Sequence, residues 1–304
     1  MSRPEGESAG ADADDETDEP AAMAPADAFA LLGNDTRIDI LQALQTAAVG
    51  DETPVAFSEL FDRVDVDDSA HFNYHLKKLT DHFVRKTEAG YEFRTPGRKV
   101  VRAVFAGTFT GREELEPFDA PGECWHCGGA LEATYADERL TVECVDCDRP
   151  VVSHTFAPGG VADRDPEELL EAFHHHVRHH YCLAADGVCP ECMGRMETHL
   201  TRESTFPGRE VEVNHVCGRC DTHLRSAVGL NLLDTAPVLS FHAERGVDLS
   251  TEPFWTFAWC VSDERTAVVG EDPLTLRLEI PVADDEIRVT VDETLDVLDV
   301  ERRV

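Results

Sequence analysis

The sequence predicts an α+β chain built from several small modules, and three observations lead there. Its 304 residues have room for roughly two to four modest cores. Apolar residues recur at helical spacing through the first third, then give way to short alternating strands. Eight of the ten cysteines fall into four Cys-x-x-Cys pairs: Cys124/Cys127, Cys144/Cys147, Cys189/Cys192 and Cys217/Cys220.

Charge bounds the setting. The chain carries 61 acidic against 27 basic residues, a formal net charge of −34, and the excess is spread along its whole length. An acidic surface of that kind keeps a protein hydrated at molar salt. It predicts the cytosol of a salt-accumulating halophile, most simply an archaeon. The start of the chain is acidic and has no signal-peptide core. The longest apolar run, Pro253 to Val261, is too short to cross a bilayer, so no membrane role is expected. In a reducing cytosol, Cys-x-x-Cys pairs read as metal knuckles before they read as disulfides.

Residues 1–26 hold few large apolar groups, and a disordered acidic tail is expected there. Residues 27–112 read as a compact set of helices closed by a hairpin. A helical turn spans Asp27–Leu32. Asn34 or Asp35 caps the next helix, which carries Ile38, Leu41 and Leu44. Gly50 to Pro54 breaks it, and Phe57–Val64 forms a short helix. After the acidic loop Asp65–Asp68, a helix is expected over Ser69–Phe83. Strands at Val84–Lys86 and Tyr91–Arg94 then flank the turn Glu88-Ala89-Gly90, and Gly97–Thr108 returns to helix.

On the Ser69–Phe83 helix, Phe72, Leu76, Leu79 and Phe83 share one face and predict core. The opposite face holds Ala70, Asn73, Tyr74, Lys77, Lys78 and Asp81. From His71 to Arg102 there are eight Lys or Arg against three acids, a local net of +5 (8 − 3) inside a chain of −34. A solvated polar face is the ordinary explanation for such a helix. A basic strip kept in so acidic a chain favours phosphate contacts instead. The segment is therefore expected to be a winged helix-turn-helix that places this helix in the major groove of double-stranded DNA. Asn73, Tyr74 and Lys77 are the expected base-edge contacts. Lys78, Arg94, Arg98 and Lys99 are assigned to phosphates, with Ser69 and His71 at the start of the helix also in the interface.

The cysteines predict two structural sites. Cys124, Cys127, Cys144 and Cys147 form one set, whose pairs stand 16 residues apart. Cys189, Cys192, Cys217 and Cys220 form the other, with 24 residues between pairs. Two knuckles complete a tetrahedron around zinc, and four thiolates leave no open position for catalysis. Two structural zinc ions are expected; a redox dithiol suits a lone pair better than four. The first ribbon is assigned to 113–153, with strands Leu131–Tyr135 and Leu140–Cys144. The second is assigned to 188–226, turning near Pro207-Gly208. Between them, at 154–187, a linker helix is expected over Pro166–Leu183, with Asp165 as its cap. Its run His174–His180 contains the i, i+4 pairs His175/His179 and His176/His180. They read first as a polar helix face and second as a metal site. Residues 227–304 predict a small α+β domain, with a helix near Pro237–Arg245. Strands are expected at Phe254–Val261, Leu274–Ile280, Glu286–Val291 and Thr294–Val300. Cys260 is expected to be a buried core thiol.

Two segments carry a family resemblance. Leu31–Leu44 (LLGNDTRIDILQAL) resembles the opening of ArsR-type winged-helix regulators. Ser69–Lys86 (SAHFNYHLKKLTDHFVRK) is similar to their recognition helix and wing entry, through His75, Leu76 and Leu79. The order winged helix, ribbon, helix, ribbon, α+β end resembles haloarchaeal ArsR-like transcriptional regulators. That resemblance implies a dimeric transcriptional regulator. Metal-sensing members carry cysteines in the winged helix, whereas residues 27–112 have none.

The whole then reads as α+β multidomain: a winged helix-turn-helix, two zinc ribbons joined by a helix, and a small α+β C-terminal domain. The alternative is a zinc-ribbon adaptor that docks on the transcription machinery without DNA specificity of its own. No nucleophile elbow, phosphate-binding loop, dinucleotide fingerprint or His-Glu-x-x-His motif is present, so an enzyme ranks behind both.

Overall fold

The computed structural model describes residues 23–48, 54–202, 204, 206 and 209–303. The expected tail up to residue 22, the helix break at residues 50–53 and the turn at Pro207-Gly208 lie outside them. The chain is α+β, with several small antiparallel sheets. It divides into two compact units, one ending at Ala103 and the other beginning at Val104.

The first unit opens with α1 (Pro25–Leu32) and α2 (Asp35–Ala47). Asn34 caps α2, its side chain accepting from the Arg37 amide at 3.3 Å. Next come α3 (Phe57–Phe61) and α4 (Ser69–Leu79), then β1 (Val84–Lys86), β2 (Tyr91–Phe93) and α5 (Thr95–Phe105), in whose last turns the division falls. The Asp68 carboxylate caps α4 by accepting from the Ala70 amide at 3.0 Å. β1 and β2 are antiparallel, with Val84 opposite Phe93, and Val55 bridges to Tyr91 as a further paired residue. The core holds Ile40, Leu41, Leu44, Leu60, Phe72, Leu76, Leu79 and Val101.

The helix expected over Ser69–Phe83 ends at Leu79. Thr80 turns extended and Asp81 adopts a left-handed φ of 71°, which a further helical turn cannot accommodate. Phe83 still reaches the core from the loop, so its apolar character was informative although its helical register was not.

The second unit begins with a four-stranded meander of β3 (Leu115–Glu123), β4 (Ala130–Ala136), β5 (Arg139–Cys144) and β6 (Pro150–Thr155). β3 and β6 flank the two strands expected from the sequence. α6 (Pro158–Ala162) leads to α7 (Pro166–Ala185). A capping box starts α7: Asp165 accepts from the Glu168 amide at 3.0 Å, and Glu168 accepts from the Asp165 amide at 3.3 Å. A three-stranded sheet follows, β7 (Met196–Thr201), β8 (Glu212–Cys217) and β9 (His223–Ser226). The chain continues through α8 (Val228–Leu232), α9 (Ala236–Ala243) and α10 (Ala258–Val261). It closes with a second meander of β10 (Thr266–Glu271), β11 (Leu274–Val282), β12 (Asp285–Val291) and β13 (Val297–Arg303). Phe254–Val261, expected as a strand, is a 3₁₀ turn followed by α10. Its residues are nearly all apolar, and a short buried run of that kind fits strand or helix equally well. Cys260 is buried as expected.

One core runs through this unit. Phe173, Val177 and Ala184 of α7 pack in the same cluster as Leu131 and Val142 of the first meander, Val213 of the second sheet, and Leu278 and Val289 of the last. α7, expected as a connecting helix, therefore lies at the centre of the packing. Its Tyr181 hydroxyl donates to the Arg225 carbonyl at 2.8 Å, and Trp255 donates its indole N–H to the Pro121 carbonyl at 3.1 Å.

Arg178 is the one buried cation of α7, with its side chain 6% exposed. Its Nε donates to Asp234 at 3.0 Å, and its remaining nitrogens reach Asp234 again and the Leu249 carbonyl. Asp234 is half-buried, and removing it leaves the buried Arg178 charge uncompensated. Asp234→Ala is expected to lower stability by about 3 kcal/mol in denaturant unfolding. A change below about 0.5 kcal/mol, the range of ordinary surface substitutions, would show that water compensates Arg178 equally well.

Candidate metal centres and basic strip

The eight cysteines gather into the two expected sets. Sγ of Cys124 lies 3.8 Å from that of Cys147, and Cys127 lies 3.4 Å from Cys144. In the second set Cys189 and Cys220 are 3.7 Å apart, and Cys192 and Cys217 are 3.5 Å apart. Zinc–sulfur bonds of about 2.3 Å in a tetrahedron put sulfurs about 3.8 Å apart. All four sulfurs of each set are mutually within 4.8 Å, so each set could hold one zinc ion with little adjustment.

The backbone repeats one device four times. The residue after each second cysteine, at Gly128, Asp148, Met193 and Asp221, is left-handed, with φ between 52° and 74°. Its amide donates to the carbonyl of the first cysteine at 2.8 to 3.1 Å. One residue further on, a carbonyl accepts from the amide of the first cysteine at 2.8 to 3.0 Å. The first cysteine of each pair is buried and the second reaches toward the surface. Met193 thus holds a glycine-like conformation, and its side chain is 73% exposed.

The thiols share their protons unequally. The Gly129 amide favours a Cys127 thiolate, but hydrogen bonding to Cys144 and burial outweigh it and push Cys127 up to about 12. Burial opposes ionisation of Cys144, yet the amides of Asp146 and Cys147 hold it at about 7. Hydrogen bonding to Cys220 pushes Cys192 up to about 12. The Thr222 hydroxyl, 3.1 Å away, leads in drawing Cys220 down to about 6. A divalent cation removes this competition by stabilising all four thiolates at once.

The residues expected at a DNA interface lie in the first unit. Ser69, Asn73 and Lys77 follow one another at four-residue spacing along α4, with Tyr74 and Lys78 on the adjoining row. Tyr74 is 57% exposed, and the Lys78 ammonium stands 5.7 Å from its ring centroid. Lys77 and Lys78 also border a hollow with Asp27, Ala30 and Leu31 of α1, a neighbour the sequence reading did not foresee. His71 faces the buried His75 across 3.0 Å between ring nitrogens, so its orientation is tied to the core side of α4. Arg94 and Lys99 are exposed and Arg98 is half-buried. On the hairpin, Arg85 pairs with Glu92 at 2.5 Å, which removes it from the free charge of the strip.

The histidine run divides into three roles. His174 is buried and accepts from the Phe254 amide at 3.1 Å, a structural contact. His175 and His179 stack with ring centroids 6.3 Å apart. His176 and His180 turn toward His154 of β6. His154, expected at the edge of the linker, lies instead on β6. No helix among the described residues is long and apolar enough to cross a membrane.

Fold and site together define an α+β chain with two four-cysteine clusters able to hold metal. A family described as a domain of unknown function (DUF7351) matches residues 121–297, more than half of the chain, and the chain belongs to that family. A second family of the same description (DUF7347) matches residues 25–104, ending within one residue of the division between the two units. No curated protein and no solved structure matches the chain.

The knuckle geometry sets an order of sensitivity. A Cβ on Gly128 meets nothing within 4 Å, so Gly128→Ala costs only its left-handed backbone, about 1 kcal/mol. A Cβ on Gly129 would stand 2.3 Å from the Asp146 carboxylate and 3.0 Å from the Cys144 sulfur. Gly129→Ala is therefore expected to weaken metal retention in a competitive chelator titration more than Gly128→Ala. Equal retention in both would show that the thiolates do not need this close approach.

Proposed function

We propose that the chain is a sequence-specific DNA-binding transcriptional regulator. Its first unit would act as a winged helix-turn-helix similar to the ArsR type, and each four-cysteine cluster would hold a structural zinc ion. The carrying observation is the two-sidedness of α4. Phe72, Leu76 and Leu79 lock one side into the core, while Tyr74, Lys77 and Lys78 stand exposed on the other with Asn73 half-exposed beside them. A helix held that way presents amide, aromatic and basic groups as one rigid surface. Asn73, Tyr74 and Lys77 read base edges in this proposal. Lys78, Arg94, Arg98 and Lys99 take phosphates, and Ser69 and His71 complete the contact at the start of the helix. A homodimer on a two-fold DNA site, in the cytosol of a halophilic archaeon, is the working assembly.

The strong net negative charge is compatible with this role. At molar salt the Debye length is about 3 Å, so distant acidic groups neither repel DNA nor steer it. Binding then rests on contacts at hydrogen-bond range.

A second reading is supported by the apolar groups at the knuckle tips. Val145 and Met193 are 46% and 73% exposed beside their cysteines, a pattern that favours docking on a protein of the transcription machinery.

Footprinting on genomic fragments in about 1 M potassium chloride separates the two. The proposal expects a discrete protected site. Lys77→Ala and Tyr74→Ala should each weaken it about tenfold or more, the cost of losing a base contact, with unchanged melting. Absence of protection by folded, metal-replete protein would overturn the DNA reading and favour the adaptor.

A further inference from the structure

We propose that His154, His176 and His180 form a third metal site, a three-histidine centre for a divalent transition ion with one coordination position left open. It goes beyond the DNA reading and does not depend on it.

The three rings come from two elements that the core already holds together. His154 lies on the inward side of β6 and is 7% exposed. His176 and His180 are one turn apart on α7, which stacks them on one face. Ring centroids are 5.4 Å apart for His154 and His176, 5.1 Å for His154 and His180, and 4.0 Å for His176 and His180. One nitrogen from each falls within 4.8 Å of the others. Metal–nitrogen bonds of about 2.0–2.1 Å would bring them to about 3.3 Å. His176 and His180 are only half-buried, so rotation of these two side chains supplies the closure.

Among the other buried histidines of this unit, His174 and His242 each hold one ring nitrogen in an ordinary hydrogen bond and leave the other secluded without a partner. His215 is satisfied on both ring nitrogens, by Thr198 at 2.9 Å and Asn231 at 2.7 Å. In the trio, Nδ1 of His180 is secluded from solvent and has no hydrogen-bond partner. Nδ1 of His154 donates to the Thr155 carbonyl at 3.0 Å, which fixes the tautomer and leaves Nε2 as a lone pair. A carbonyl that orients a ring from behind is the usual outer support of a metal-bound imidazole.

Electrostatics agree with a cation. The Glu191 carboxylate acts on His176 and lines the same cleft as His154. Arg139 lines the same cleft, and its charge opposes a cation near His154; it is engaged by the Ser153 carbonyl, to which it donates at 3.1 Å. Three imidazoles select zinc, copper, nickel or cobalt over magnesium or calcium. With three protein ligands the fourth position takes water or a small anion, so this ion exchanges where the thiolate-held ions do not.

Protein already carrying its two thiolate-bound zinc ions is titrated with zinc by calorimetry, and in parallel with cobalt(II) by absorption. The expected result is one further equivalent per chain, with cobalt d–d bands and no new thiolate charge transfer. His180→Gln, and separately His176→Gln, should abolish it or weaken it more than the about 10–100-fold of an outer-sphere change, while both zinc ions are retained. The double variant His175→Asn/His179→Asn should bind the third ion as the unaltered chain does. No third equivalent in the unaltered chain would overturn the proposal. So would loss of that equivalent in His175→Asn/His179→Asn with retention in His180→Gln and His176→Gln.

Discussion

Four sulfurs gathered within a few ångströms are the constraint on which the second unit rests. Cys124, Cys144, Cys189 and Cys217 are not appended to a finished core; they belong to the same buried cluster as α7 and the C-terminal meander. Cys144 stands opposite Leu131 and Cys217 opposite Met196, so each cluster closes a sheet where its strands end. Without a cation, the polar and ionisable sulfurs at those ends compete for protons in a partly dry place. With one, each cluster becomes a rigid cross-link between hairpin and core. The left-handed residue after each second cysteine is the local cost of that arrangement, and the chain accepts it four times, three of them without glycine's help, at Asp148, Met193 and Asp221.

The first unit is organised differently. Its cohesion is apolar, through Phe72, Leu76 and Leu79 packing on Ile40, Leu41 and Leu44. Aromatic contacts among Phe57, Phe61 and Phe72, with centroids 5.2 to 6.4 Å apart, fix the angle at which α4 meets α3. Residues 27–112 contain no cysteine. What sets this unit apart is charge. An acidic chain that retains exposed Lys77, Lys78, Lys86, Arg94 and Lys99 close together in sequence keeps them against the trend of its composition. That contrast supports the proposal that this unit meets nucleic acid.

Much of this was legible in the sequence because spacing alone determined it. The Cys-x-x-Cys pairs named both clusters, since two residues between thiolates fit one knuckle geometry and little else. The i, i+4, i+7 recurrence of Phe72, Leu76 and Leu79 named the buried side of α4. Three features escaped for identifiable reasons. β3 spans LEPFDAPGE, whose two prolines and a glycine argue against a strand, and its pairing with β4 is irregular at both ends. Phe254–Val261 has a single polar residue, Thr256, too few to reveal a period. His154 reaches its histidine partners across 22 and 26 residues of sequence (176 − 154 and 180 − 154), a proximity that only the packing of β6 on α7 creates.

The central claim is that two thiolate-bound ions organise the second unit, and stripping them tests it most directly. Metal content by mass spectrometry would be followed together with near-ultraviolet circular dichroism of the tryptophans while a strong chelator is added under reducing conditions. Trp125, Trp255 and Trp259 all lie in the second unit, so the signal reports on it alone. The account predicts two zinc ions per chain tightly held, and loss of the tryptophan signal in step with their removal, restored when zinc returns. A chain that keeps its full tryptophan signal after both ions have gone would contradict it.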